Sequence, residues 1–169
     1  ARRNLRRLDI WCAASSTGQE PYSLAMLIKE HFPELATWNV RILATDLSSS
    51  VLEQARAGRY SQLEVNRGLP ALYLAKYFRR AGSQFELDPA VRSLVQFEPL
   101  NLIGEWPRSL TADLVMIRNV LIYFEQPIKQ RILERVHGVL PPHGVLMVGS
   151  SELVSMPCFD RHHHDRSTY

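Results

Sequence analysis

Three short stretches of the chain combine residue types that can do chemistry. The first is Ala14–Glu20 (ASSTGQE), where Ser16, Thr17 and Gly18 lead to Glu20. Small residues let a backbone approach a ligand closely, and the helix that follows offers free N–H groups to an anionic group. An ordinary small-residue turn would have the same composition. The second is Asp46, which closes the run Asn39–Thr45 (NVRILAT). A carboxylate there can accept hydrogen bonds from both hydroxyls of a ribose, or it can cap the next helix. The third is Ile117–Phe124 (IRNVLIYF), which sets a guanidinium, an amide and a phenol among apolar residues. Arg118 can hold a carboxylate through two parallel hydrogen bonds, and Tyr123 can add a hydroxyl donor. A surface arginine and a core tyrosine would read the same way.

The first two stretches say more as a pair. A small-residue loop after one strand and an acid at the end of the next point to a nucleoside-containing cofactor. The loop lacks the Gly-x-Gly-x-x-Gly spacing that a dinucleotide pyrophosphate needs, and the chain has no Gly-x-x-x-x-Gly-Lys-Ser/Thr phosphate loop. A nucleoside without phosphates, such as S-adenosylmethionine, fits both absences.

These stretches require a particular scaffold. Leu8–Ala13, Asn39–Thr45, Leu94–Pro99, Asp113–Ile117 and Val145–Val148 read as strands one to five. Apolar residues at helical spacing predict helices over Pro21–Phe32, with the proline at the first helical position, and over Ile128–Leu140, stopped by Pro141-Pro142. A shorter helix is expected over Val51–Ala57, with Ser48 as N-cap and Gly58 as its stop. Tyr60–Val91 is less regular and reads as an insertion between the halves of a sheet, with a helical piece near Leu72–Phe78 and a turn at Ala81–Ser83. Strands alternating with helices imply a parallel sheet covered on both faces. Such sheets bind ligands at the carboxyl ends of their strands, where all three stretches fall.

The 169 residues fit one domain, and 46% hydrophobic with 22% charged residues is ordinary soluble usage. No apolar run is long enough to span a bilayer, and no secretory signal is read, so a cytoplasmic location is expected. Cys12 and Cys158 have no metal-like spacing and suit a reducing compartment. The net charge of +3, much of it in Arg2, Arg3, Arg6 and Arg7, suits an acidic partner but is too weak to argue for nucleic acid. His162–His164 lie next to one another on a late strand, where successive side chains face opposite ways, so no metal site is expected.

Taken together, Ser16–Ser23 (STGQEPYS), Ala44–Asp46, Asn101-Leu102 and Arg118–Phe124 (RNVLIYF) resemble, in order and spacing, the motifs of the CheR-type chemotaxis methyltransferases. Pro142–Glu152 resembles that family's fifth strand and the loop after it, and the match runs from Leu8 to Tyr169. The resemblance implies an α/β, Rossmann-like class I methyltransferase fold. Its sheet would be mostly parallel and seven-stranded, with helices on both faces and a small inserted subdomain at about 60–93. S-adenosyl-L-methionine is the implied cofactor and S-adenosyl-L-homocysteine the product. Ser16, Thr17 and Gly18 would form the loop beneath the cofactor, with Glu20 near its methionine part and Asp46 on its ribose. Asn101 and Leu102 would lie by the adenine. Arg118 and Asn119 would flank the methyl-transfer site, with Tyr123 nearby, and Arg118 and Tyr123 are the catalytic candidates.

The family esterifies glutamate side chains on chemoreceptor signalling helices. A glutamate is already an anion at neutral pH, so it needs orientation and no general base, and Arg118 is the candidate to aim it. The family's basic helical domain, which precedes this one and helps to form the pocket, is not found ahead of strand one. A domain cut from a longer protein is therefore expected, with an incomplete pocket. The insertion is short at Arg79–Phe85 and has one glycine there, which resembles members working without a receptor-tail tether. A monomer that inserts in no membrane and binds no nucleic acid is expected. Two other functions fit the residues: methylation of a small molecule, and cofactor-dependent regulation without turnover.

Overall fold

The computed structural model describes residues 5–152, 154, 156–160, 163–164 and 167–168. Five strands form the main sheet: β1 (Arg7–Ala13), β2 (Asn39–Asp46), β6 (Val95–Pro99), β7 (Leu114–Ile117) and β8 (Val145–Val148). Their order is β6-β2-β1-β7-β8, and every neighbouring pair is parallel. The order reverses at β1, so the crevice at a topological switch point opens above its carboxyl end, between β1 and β7.

Alternation along the strands decides what covers each face. Ile10, Cys12, Ile42, Ala44, Phe97 and Met116 point to one side, against Tyr22, Ala25 and Met26 of α1 (Gln19–His31) and Leu52 and Ala55 of α2 (Ser49–Ala57). Trp11, Ala13, Leu43, Val115, Ile117 and Leu146 point to the other, against Ile132, Leu133 and Val136 of α6 (Gln126–Val139). Both faces of β1 are therefore dry, which is why it reads as a continuous apolar run. The Trp11 indole N–H, fully buried, donates to Thr45 Oγ1 at 2.9 Å and so meets its polar requirement across the β1–β2 pair.

Element ends follow local chemistry. Ser48 caps α2 by accepting the Val51 N–H at 3.4 Å, and Gly58 ends it in the left-handed region. Pro21 is the third residue of α1 and not the first, because the helix already begins at Gln19. The position tolerates proline all the same, since the first four N–H groups of a helix have no intrahelical acceptor.

The inserted region is more ordered than its sequence indicates. β3 (Arg59–Ser61), β4 (Phe78–Ala81) and β5 (Gln84–Leu87) form an antiparallel sheet in the order β3-β5-β4. Two short helices, α3 (Gln62–Val65) and α4 (Ala71–Tyr77), lie between β3 and β4, and α5 (Pro89–Arg92) leads into β6. The two-residue turn Gly82-Ser83 closes the β4–β5 hairpin with Gly82 at φ 64°, as such turns require. Polar residues on both faces of β4 hide the period-two pattern.

The expected count of seven strands is corrected to five in the main sheet among the described residues. The last two strands, β9 (His163–His164) and β10 (Ser167–Thr168), are two residues each and pair antiparallel with one another, so their hydrogen bonds are spent away from that sheet. His162 lies outside the described residues.

Ile42, fully buried at the centre of β2, tests this packing. Ile42→Ala should cost about 2–5 kcal/mol, the range for truncating a large core aliphatic. Urea unfolding should show a lower midpoint with an unchanged slope.

Candidate functional site

The loop after β1 turns sharply on residues in unusual backbone conformations. Ala14 (φ 54°) and Ser16 (φ 50°) are left-handed without being glycine, and Gly18 (φ 90°) follows. A non-glycine residue in that region costs about 1–2 kcal/mol, so the surroundings must hold it there. The Ser15 N–H donates to the Thr45 carbonyl at 2.9 Å, and the Ser16 N–H donates to Asp46 Oδ2 at 2.9 Å. The Tyr60 hydroxyl, from the inserted sheet, donates to the Thr17 carbonyl at 2.8 Å. Burial pushes the Tyr60 phenol well above its ordinary value and that of Tyr22 up to about 12, so both remain protonated donors. A side chain at Gly18 would crowd its neighbours: a Cβ there would lie 3.1 Å from Ala55 Cβ and from Phe97 Cζ, and 3.2 Å from Tyr22 Cε2. It is the N-cap of α1 without a capping side chain, which leaves the first N–H groups of that helix facing the loop.

Asp46 bonds twice to backbone, through Oδ2 to Ser16 N and through Oδ1 to Ser48 N at 3.1 Å. It does not cap α2, since Ser48 does. Each oxygen has a second acceptor position, so the carboxylate can hold the loop and still receive two hydroxyls. The Asp46 carbonyl accepts the Leu100 N–H at 3.0 Å, which brings the loop after β6 alongside. In that loop Asn101 Oδ1 accepts the Ile103 N–H at 3.1 Å. Leu102 is buried, its side chain in the core beneath α6 and its carbonyl accepting from Arg135 Nη1 at 3.3 Å.

Arg118, at the end of β7, reaches across to the same loop. Its Nη1 donates to Glu20 Oε2 at 2.9 Å. Burial, the largest influence, raises the Glu20 pKa above the ordinary carboxylate value; the Arg118 hydrogen bond and charge oppose that, while the Glu152 charge adds to it. Asn119 follows at φ 59°, the third left-handed non-glycine residue at a strand end in this site. Tyr123 lies on a 3-10 turn, Leu121–Tyr123, with its side chain 79% exposed, so it is no core tyrosine.

The structure thus brings Ser16, Thr17, Gly18, Glu20, Asp46 and Arg118 to one place through direct contacts. Asn101 and Leu102 adjoin it through the backbone, and Tyr123 stands at the rim. Two residues escaped the sequence reading. Tyr60 fell in the segment taken as irregular. Glu152 is only 1% exposed, and its carboxylate accepts the N–H groups of Asn119, Val120, Leu121 and Gly149 at 2.7–2.9 Å. The clue to Glu152 was available, since it is an acid in a small-residue loop after an apolar strand, as Asp46 is an acid at the end of one. Cys12 is buried and its thiol pKa is raised by that burial, which makes it no nucleophile. No group of three or more metal-ligating side chains occurs among the described residues.

The model of the family described as "CheR methyltransferase, SAM binding domain" matches residues 1–166. The chain belongs to this family. "Chemotaxis protein methyltransferase 1" of Pseudomonas aeruginosa is 45% identical over 155 residues, covering 89% of this chain and 56% of that protein. The "Probable chemotaxis protein methyltransferase" of Rhizobium etli is 38% identical over 152 residues, covering 88% and 57%. The CheR-family domain described here therefore spans about half the length of the curated relatives it matches. Among solved structures, the CcbJ methyltransferase of Streptomyces caelestis shares the fold with a TM-score of 0.54 at 15% identity, covering 83% of this chain and 44% of that one. PKMT2 of Rickettsia typhi, in complex with AdoHcy, gives 0.52 at 16% identity, covering 85% and 21%. At these identities the likeness establishes the Rossmann-like class I methyltransferase fold.

Gly18 provides the test of the loop. Gly18→Ala should destabilise the fold by at least about 1–2 kcal/mol from the left-handed backbone alone, with crowding against Ala55 and Phe97 adding to it. Thermal unfolding of the variant beside the parent protein measures the loss.

Proposed function

We propose that this domain binds S-adenosylmethionine in the crevice above β1, and that the protein containing it transfers the methyl group to glutamate side chains of chemoreceptor signalling helices. The observation that carries the reading is the convergence of Asp46, the Ser16–Glu20 loop and Arg118 in one crevice. It offers two acceptor positions for ribose hydroxyls beside a carboxylate–guanidinium pair at 2.9 Å. The family and the names of the relatives support the receptor as target.

The residues present fit the group. Glu20 complements the ammonium of its methionine part, Asp46 the ribose hydroxyls, and the backbone at Asn101 and Leu102 the adenine. The close-packed Gly18 keeps the loop floor low. S-adenosylmethionine supplies a methyl group made electrophilic by its sulfonium. A glutamate of the partner is ionised at neutral pH, so the site needs no base. Its task is to hold the carboxylate in line, and alignment of this kind is worth up to ~7–11 kcal/mol. Arg118 gives one of its five N–H donors to Glu20, which keeps others for orienting the incoming carboxylate. Tyr123, exposed at the rim, is placed to meet the partner. The short β4–β5 hairpin supports a mode of docking without a receptor-tail tether.

Methyl label carried from the cofactor to receptor glutamates by the full-length protein tests the assignment. Label on a metabolite, or none on either, overturns it. Asp46→Ala should weaken binding of S-adenosylhomocysteine about 10- to 100-fold, from the ~1.5–3 kcal/mol of hydrogen bonds to a charged group, as read by calorimetry. The same titration has a pH signature. Affinity should fall on acidification as Glu20 takes up a proton. Arg118→Gln removes the influence that lowers the Glu20 pKa, so the fall should begin at higher pH.

A further inference from the structure

Glu152 makes an unusual commitment for a charged side chain. It is 1% exposed, and its described partners are all backbone N–H groups. Oε2 accepts from Asn119 at 2.7 Å and from Gly149 at 2.8 Å. Oε1 accepts from Val120 at 2.9 Å and from Leu121 at 2.7 Å. Three successive N–H groups wrapped round an anion form a nest, and here the chain supplies the anion itself. Gly149 makes room for it: a Cβ there would lie 2.7 Å from Oε2 and 3.1 Å from the Asn119 N and Nδ2.

The three residues held this way directly follow Arg118. Asn119 keeps its left-handed backbone at φ 59° while its N–H is fixed on Oε2, and that sets the direction in which the chain leaves β7. The Arg118 guanidinium is then anchored at its far end by Glu20. The segment is therefore clamped from within by Glu152 and from across the crevice by Glu20.

We propose that Glu152 is a positioning residue. Acting through the Arg118–Asn119 backbone, it holds the guanidinium at the angle that methyl transfer requires. This rests on the function proposed above, but the placement of Arg118 on Glu20 has a readout of its own. Glu152→Gln keeps the size of the side chain and replaces one oxygen with an NH2 group. In either orientation of the amide, two of the four N–H donors then face a donor.

In the full-length protein, Glu152→Gln should lower kcat about 100-fold, as for a misplacement of about 1 Å, with KM for S-adenosylmethionine much less affected. The Glu20 carboxyl is followed by 13C NMR without cofactor in Gly149→Ala, because in Glu152→Gln the lost Glu152 charge by itself lowers the Glu20 pKa. Gly149→Ala presses on the same carboxylate while leaving its charge in place. It should also lower kcat, and with Arg118 no longer held its Glu20 carboxyl should titrate at higher pH; it carries the test alone if the first variant does not fold. Ile42→Ala, destabilised at a distance, should change neither. Parental kcat in a folded Glu152→Gln overturns the proposal, as does an unmoved Glu20 titration in Gly149→Ala, and so does an equal loss of kcat in Ile42→Ala. A parent protein that transfers no methyl group to receptor sinks the assigned function instead, and the Glu20 titration still decides whether Glu152 positions Arg118.

Discussion

A carboxylate at the end of β2 holds open the loop at the end of β1. Without the bond from the Ser16 N–H to Asp46, the left-handed turns at Ala14 and Ser16 would lack their main constraint. The chain would then be free to relax toward ordinary conformations. The rest of the site is built outward from this contact. The loop feeds α1 through a glycine packed against Ala55 and Phe97. The first turn of α1 carries Glu20, and Glu20 meets Arg118 from β7. Strain at strand ends of this kind persists only where the surroundings over-determine it, and it concentrates at functional sites.

The same logic recurs on the other side of the switch point. Glu152 does for the loop after β7 what Asp46 does for the loop after β1: an acid from the neighbouring strand's end ties down backbone N–H groups. The two differ in burial. Asp46 is only partly buried and has acceptor positions to offer. Glu152 is sealed in, with four N–H groups on it, so its role is confined to shaping the chain. The crevice is thus framed by one acid that can meet a ligand and one that serves its neighbours.

Much of this was legible in the sequence, for identifiable reasons. β1, β2 and β8 hold apolar runs that end at or before small or acidic residues. β8 falls where it was expected, and the other four main strands begin or end within one residue of expectation. Asp46 was legible as an acid at a strand end, although its capping alternative could be closed only by seeing Ser48 take that place. The pairing of Arg118 with Glu20 was not legible, because 98 residues separate them and only the strand order brings them together. The inserted sheet was hidden because Arg79 and Arg80 leave β4 without an apolar face. Tyr60 went unseen with it, since its value lies in one hydrogen bond to Thr17. The strand count came from resemblance, and the described chain spends its last two strands on each other.

The most direct measurement is a titration of the 15N-labelled protein with S-adenosylhomocysteine, followed by amide chemical shifts. If the crevice above β1 is the cofactor site, the large shifts will fall on Ser16–Glu20, on Asp46 and Leu47, and on Asn119, three segments that meet only in the folded chain. Shifts confined to the cavity lined by His137, Pro142 and Phe159, or to the cleft between α1 and the inserted sheet around Met26 and Tyr73, would contradict the account.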